Sequence, residues 1–193
     1  ADPGLRDRIC VRSSSNVYNQ SLLAAMIEAH GLEAAEAWAS GVVENFARKP
    51  QGGDRDQIRA VAAGECDVAV ANTYYFARML ASDDPAEREA AEKVALVWPN
   101  QDGRGAHVNV AGAGVTLSSR NKDAAVRLLE FLAGAEAQSV YAEVVYEYPI
   151  DSQAQRADVV AAWGDFKADG VDLATFGEHQ ATALRIFDRA GWR

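Results

Sequence analysis

The sequence predicts an α/β fold with a largely parallel sheet. Short apolar runs rich in Val, Ile and Ala alternate with longer stretches of helical period. Glycine or proline marks most of the joins. The 193 residues suffice for one sizeable domain, or for one lobe and part of another.

Residues 8–12 read as the first strand, followed by a turn at Ser13-Ser14-Ser15-Asn16. Apolar residues at 22, 23, 26 and 27 give Val17 to His30 an amphipathic helical face, and Gly31 suits its C-cap. A second helix is expected from about Leu32 to Ala47. After the loop Pro50-Gln51-Gly52-Gly53, Asp54 with Gln57 three residues on resembles a capping box, which predicts a helix that Gly64 ends. A strand is expected over 66–71. Asn72 is placed to cap a helix from 73 to about 81, and Asp84-Pro85 to open another that ends near Lys93. Val94 to Trp98 reads as a strand. Pro99 to Gly105 is the clearest internal boundary. Beyond it lie an extended run, His107 to Val110, and helices over Asp123–Ala133 and Ala135 to about Val145. The remainder, from Ser152 to Arg193, reads as helices with a loop at 167–172.

Composition excludes some functions. A net charge of −9 argues against a nucleic-acid surface. No apolar run reaches the ~20 residues of a membrane-spanning helix. The opening Ala1-Asp2-Pro3-Gly4 has no signal-peptide pattern and fits a processed start or an expression scar. Phosphate-loop, dinucleotide and nucleophile-elbow motifs are absent, so no enzyme is expected. His30, His107 and His179 show no ligand spacing.

Tyr74 and Tyr75 follow an apolar strand, where open α/β sheets place their ligands. Tyr18 follows the first strand by a similar turn, so three phenols converge if the strands are parallel. Phenolate oxygen is a hard donor and suits a hard cation such as Fe³⁺. The alternative is three half-buried aromatics with wet hydroxyls. Ser14, Ser15 and Asn16 precede a helix N-terminus, which suits an anion such as carbonate or phosphate as well as plain capping. Arg12 could balance phenolate charge or make an ordinary ion pair. Cys10 and Cys66 each open a predicted strand. A disulfide and two buried thiols are both open readings.

Several segments together resemble one family. They are Cys10 to Asn19, Ala47 to Arg55, Asn72 to Phe76, Trp98 to Gln101 with Gly105 to Asn109, and Tyr146 to Pro149. They look like those of the ferric-iron-binding periplasmic proteins of ABC importers, in the same order, from about residue 6 to Arg193. The resemblance implies a type II periplasmic-binding-protein fold, with two α/β lobes around a hinge and Fe³⁺ in the cleft. It implies Tyr74, Tyr75 and Tyr18 as iron ligands, and in other members an anion at the serine turn; Arg12, Ser14, Ser15, Asn16 and Asn72 are expected around the ligands or holding such an anion. It implies a membrane permease as partner and a periplasmic location. Residues 6–103 and about 150–193 would form the complete second lobe. Residues 107–149 would form part of the first, with a hinge strand near 104–111. The preceding strands, and the histidine or tyrosine that lobe often contributes, fall outside the chain. A fragment, a cut product or self-association through the incomplete lobe is therefore expected. A second reading is a truncated lobe that binds no iron and serves as an interaction module.

Overall fold

The structure, a computed structural model, describes residues 1–193. Two strands pair in parallel, β1 (Ile9–Cys10) and β2 (Val68–Ala69), with Ile9 opposite Val68 and Cys10 opposite Ala69. On the other side of β1, Ile9 makes a single parallel bridge to Phe46. Nine α-helices accompany this small sheet: α1 (Val17–His30), α2 (Leu32–Val43), α3 (Asp54–Ala62), α4 (Thr73–Leu80), α5 (Pro85–Glu92), α6 (Lys122–Ala133), α7 (Ala135–Val145), α8 (Asp158–Ala161) and α9 (Ala174–Ala190).

The main core lies between α1, α2 and α9 and includes β1. Leu23, Ile27, Ile186, Phe187 and Trp192 are buried there, and fully buried Ala35, Ala39 and Ala183 let the helices approach closely. Trp192 packs edge-on against Phe46 and donates its indole N–H to the carbonyl of Arg12 at 2.9 Å. The C-terminus thereby pins the end of β1. Gly31 at φ 82° separates α1 from α2, a backbone state that costs glycine little. A second core joins α3, α4 and α5 through Ile58, Phe76, Met79 and Ala91.

The helix boundaries follow the sequence pattern more closely than the strands do. The expected strand over 8–12 shrinks to two residues, as does that over 66–71. Val94–Trp98 is not a strand. Its side chains alternate between packed and exposed, with Val94 and Leu96 against the second core and Trp98 stacked on Phe166 at 4.1 Å. No neighbouring backbone pairs with it, so the periodicity has no ladder to join. His107–Val110 also lacks a partner strand, and only Ala106 beside it bridges Ala168. Gly105, at φ 99°, permits that contact, since a Cβ there would lie 2.5 Å from the Lys167 carbonyl oxygen. α2 ends at Val43 rather than Ala47, because Asn45 and Phe46 turn to meet the backbone of Arg8 and Ile9.

Asp54 does not cap α3. Gly53 takes that position and donates its N–H to Asp56, while Gln57 donates to the carbonyls of Gln51 and Gly53. Asp54 is freed for the site described next. Asn72 does stand at the cap of α4, but its side chain makes no bond to that helix.

Residues 107–149 stand apart from both cores. α6 buries no residue and α7 only Ala142. Leu128, Phe131, Val140 and Val144 are each more than half exposed. Where this segment begins, Arg104 holds it to the main body, pairing with Asp169 and donating to the Ala25 carbonyl of α1 at 3.3 Å.

Candidate metal centre

Parallel pairing brings the ends of β1 and β2 to one edge, where the two turns leave them. The first turn, Ser13–Asn16, is held by residues beyond it. Asn19, buried, donates to the carbonyls of Arg12 and Ser13, and buried Gln20 donates to that of Ser14. Asn16 caps α1 by accepting from the amides of Tyr18 and Asn19. Ser15 is hydrogen-bonded to Ser13 at 2.7 Å. Asn19 and Gln20 carried no functional signal in the sequence, yet they fix the turn that aims Tyr18.

The phenols of Tyr18 and Tyr74 meet at 2.8 Å. The ring of Tyr75 lies 4.3 Å from that of Tyr74, tilted by 34°. The structure thus brings Tyr18 and Tyr74 into contact across 56 residues of sequence and stacks Tyr75 beside them. Burial, and then the hydrogen bonds with Tyr18 and Tyr75, push the Tyr74 phenol well above its ordinary pKa. Without a cation the phenol stays neutral at any ordinary pH.

Charges surround the cluster. The Arg78 guanidinium lies 5.9 Å from the Tyr74 ring centre, and that of Arg12 lies 6.0 Å from the Tyr18 ring. Arg12 is ion-paired with Asp54, whose side chain is only 2% exposed. Burial opposes the charge on Arg12, but the Asp54 carboxylate and the Tyr75 hydroxyl outweigh it and raise its pKa. Asp54 also accepts from the backbone N–H of Asn72 at 2.8 Å and from its side-chain amide at 3.2 Å. One buried carboxylate therefore joins the end of β1 to the start of α4. Sequence reading missed this role because the residue's position fitted a helix cap equally well. A polar cavity of about 230 Å³ opens beside Tyr75, lined by Arg12, Asp54, Arg55 and Arg59.

Cys10 and Cys66 are joined by a disulfide with Cα atoms 6.0 Å apart, buried beside Ala60. It ties β1 to the segment entering β2, just behind the site. No three His, Cys, Asp or Glu side chains converge on a common point. The phenols are the donors gathered at this edge.

His107 lies nearby on α1's flank. Its Nε2 is 3.1 Å from Ser21 Oγ, and its Nδ1 is buried with no partner. Burial lowers its pKa from 6.5 to about 4, against the opposing pull of Asp169 and Asn109 and with the help of Arg104. The unfolded chain thus binds the proton more tightly than the folded one. Stability from this group is complete above about pH 6.5 and falls as pH drops towards about 4, by up to about 3 kcal/mol. Urea unfolding across that window should show the slope, and His107→Gln should flatten it. Equal slopes in both proteins would rule it out.

The fold is that of a partial α/β lobe of the type II periplasmic-binding-protein kind. The chain belongs to the bacterial extracellular solute-binding protein family, whose model matches residues 1–168. It is 48% identical to iron uptake protein A1 of Synechocystis, over all of this chain and 54% of that protein. It is 29% identical to the major ferric iron-binding protein of Neisseria meningitidis, over all of this chain and 56% of that one. A Trichodesmium protein (IdiA, or FutA), solved in complex with iron and citrate, superposes with a TM-score of 0.97 at 45% identity. That match covers 100% of this chain and 61% of the Trichodesmium chain. The chain spans about half the length of the curated relatives it matches. These relatives are an iron-uptake protein, a ferric iron-binding protein and a protein solved with iron and citrate. No helix is long and apolar enough to cross a membrane.

Proposed function

We propose that this chain carries the ferric-iron-binding face of a periplasmic solute-binding protein, with Tyr18, Tyr74 and Tyr75 as phenolate ligands. The observation that supports this most is the 2.8 Å contact between the hydroxyls of Tyr18 and Tyr74, with Tyr75 stacked alongside. Oxygens this close can share one small hard cation. Three phenolates would balance the charge of Fe³⁺. Loading replaces protons by metal, as coordination deprotonates its ligands. Arg12 and Arg78 stand where they offset the negative charge of the ring cluster, and the free N–H groups at the start of α4 add a smaller favourable contribution.

Residues 6–103 and 150–193 form the lobe that bears these ligands. Residues 107–149, with their exposed apolar helices, belong to a second lobe, and the iron sits in the cleft between the two. Closure of that cleft presents the loaded protein to the membrane permease of an ABC importer. The remaining iron positions take an exogenous ligand such as citrate, carbonate or phosphate, with the polar cavity beside Tyr75 and the turn bearing Ser14 and Ser15 as the two candidate places for it.

Ferric citrate added to the protein should produce a visible phenolate-to-iron charge-transfer band. Tyr74→Phe combined with Tyr75→Phe should abolish it. A protein that stays colourless at saturation, or a double variant that keeps the full band, would refute the assignment.

A further inference from the structure

We propose that Asn109 is a positioning residue for the tyrosine cluster. From the segment joining the two parts of the chain, it sets the separation of α1, which bears Tyr18, from the start of α4, which bears Tyr74 and Tyr75. The proposal rests on the reading of those tyrosines as iron ligands, and it adds how their spacing is controlled.

Asn109 bonds to both sides. Its Oδ1 accepts from Ser21 Oγ at 2.6 Å, and its Nδ2 donates to Asn72 Oδ1 at 3.2 Å. Ser21 lies one helical turn beyond Tyr18, with its hydroxyl 2.9 Å from the Tyr18 carbonyl. Asn72 immediately precedes α4. The contact between Tyr18 and Tyr74 then closes a ring: Tyr18, Ser21, Asn109, Asn72, Tyr74.

The bonds also run in one sense. With its proton on Nε2, His107 donates to Ser21, which leaves Nδ1 as the bare nitrogen that has no partner. Ser21 gives its single hydroxyl proton to Asn109 at 2.6 Å in preference to the Tyr18 carbonyl at 2.9 Å, Asn109 donates to Asn72, and Asn72 to Asp54. Arg12 donates to the same carboxylate from the opposite side. Donors aligned head to tail reinforce each other and resist partial rearrangement. Asn109 is the exposed link of this chain and is anchored by no strand. Movement of the joining segment therefore reaches α1 through His107 and Asn109, and Asn109 alone of the two also touches the start of α4.

Asn109→Ala, Ser21→Ala and the double variant test this in the full chain, with 3-fluorotyrosine placed at Tyr18 or Tyr74. Without metal, the fluorine signals should shift in each single variant and by less than the sum of the two in the double, because the Ser21–Asn109 bridge can be broken only once. With ferric citrate, affinity should fall by up to about tenfold, the scale of one lost hydrogen bond, and the charge-transfer band should shift. Fluorine signals that stay in place overturn the proposal, even if the melting temperature falls, since Asn109 then serves only stability. Independent effects of the two substitutions overturn it as well. Signals that move as expected in a protein that takes up no iron support the positioning role and remove the iron reading instead.

Discussion

Replacing both Cys10 and Cys66 by alanine is expected to destabilise the protein by about 4 kcal/mol. The disulfide closes a loop with a sequence separation of 56 residues, and the chain-entropy cost of leaving such a loop open is of that size. The packing around it argues for the upper part of the range. β1 and β2 share only two residue pairs, so the ladder contributes little independent strength. Both sulfurs are buried, and alanine avoids placing an unpaired hydroxyl in that spot. The measurement is the urea midpoint of the double variant against the oxidised parent. A loss below about 1 kcal/mol would mean that the sheet edge is held by the helices alone, since single-site effects of that size are ordinary. The consequence for the site is direct, because Arg12 follows Cys10 by two residues.

Asp54→Ala should cost about 3 kcal/mol, at the low end for breaking a buried ion pair because Arg12 keeps some solvent contact. The substitution strands the Arg12 guanidinium and leaves the Asn72 N–H without its acceptor. Asp54→Asn should cost less, because an amide oxygen still accepts from Asn72 while Arg12 loses its counter-charge. Thermal or urea unfolding of the two variants gives this order if Asp54 is the joint between β1 and α4. Equal and small losses would mean that the joint lies elsewhere.

The helices were legible because their signals are local. The C-cap glycine at 31, the Asp84-Pro85 start and the apolar spacing of α1 each act within a turn or two. The strands were less legible. Val94–Trp98 has a strand's alternation, but a strand needs a partner backbone, and none lies beside it. The same holds for His107–Val110. Parallel order and the edge position of Tyr18, Tyr74 and Tyr75 followed from strand–helix alternation, which is why these tyrosines could be singled out. Asp54, Ser21 and Asn109 could not be. Their roles depend on contacts across 18 to 88 residues of sequence, and each has an ordinary local reading as cap, helix surface or extended run. Asp54 shows the limit most clearly, since one residue of shift in the helix start turns a cap into a buried counter-ion.

The most direct test of tyrosine ligation is resonance Raman spectroscopy of the ferric-loaded protein, excited within its visible band. Iron-bound tyrosinate ring modes should appear on loading, weaken in each of Tyr18→Phe, Tyr74→Phe and Tyr75→Phe, and vanish in the triple variant. Iron that binds without tyrosinate modes, or modes that survive in the triple variant, would contradict the account.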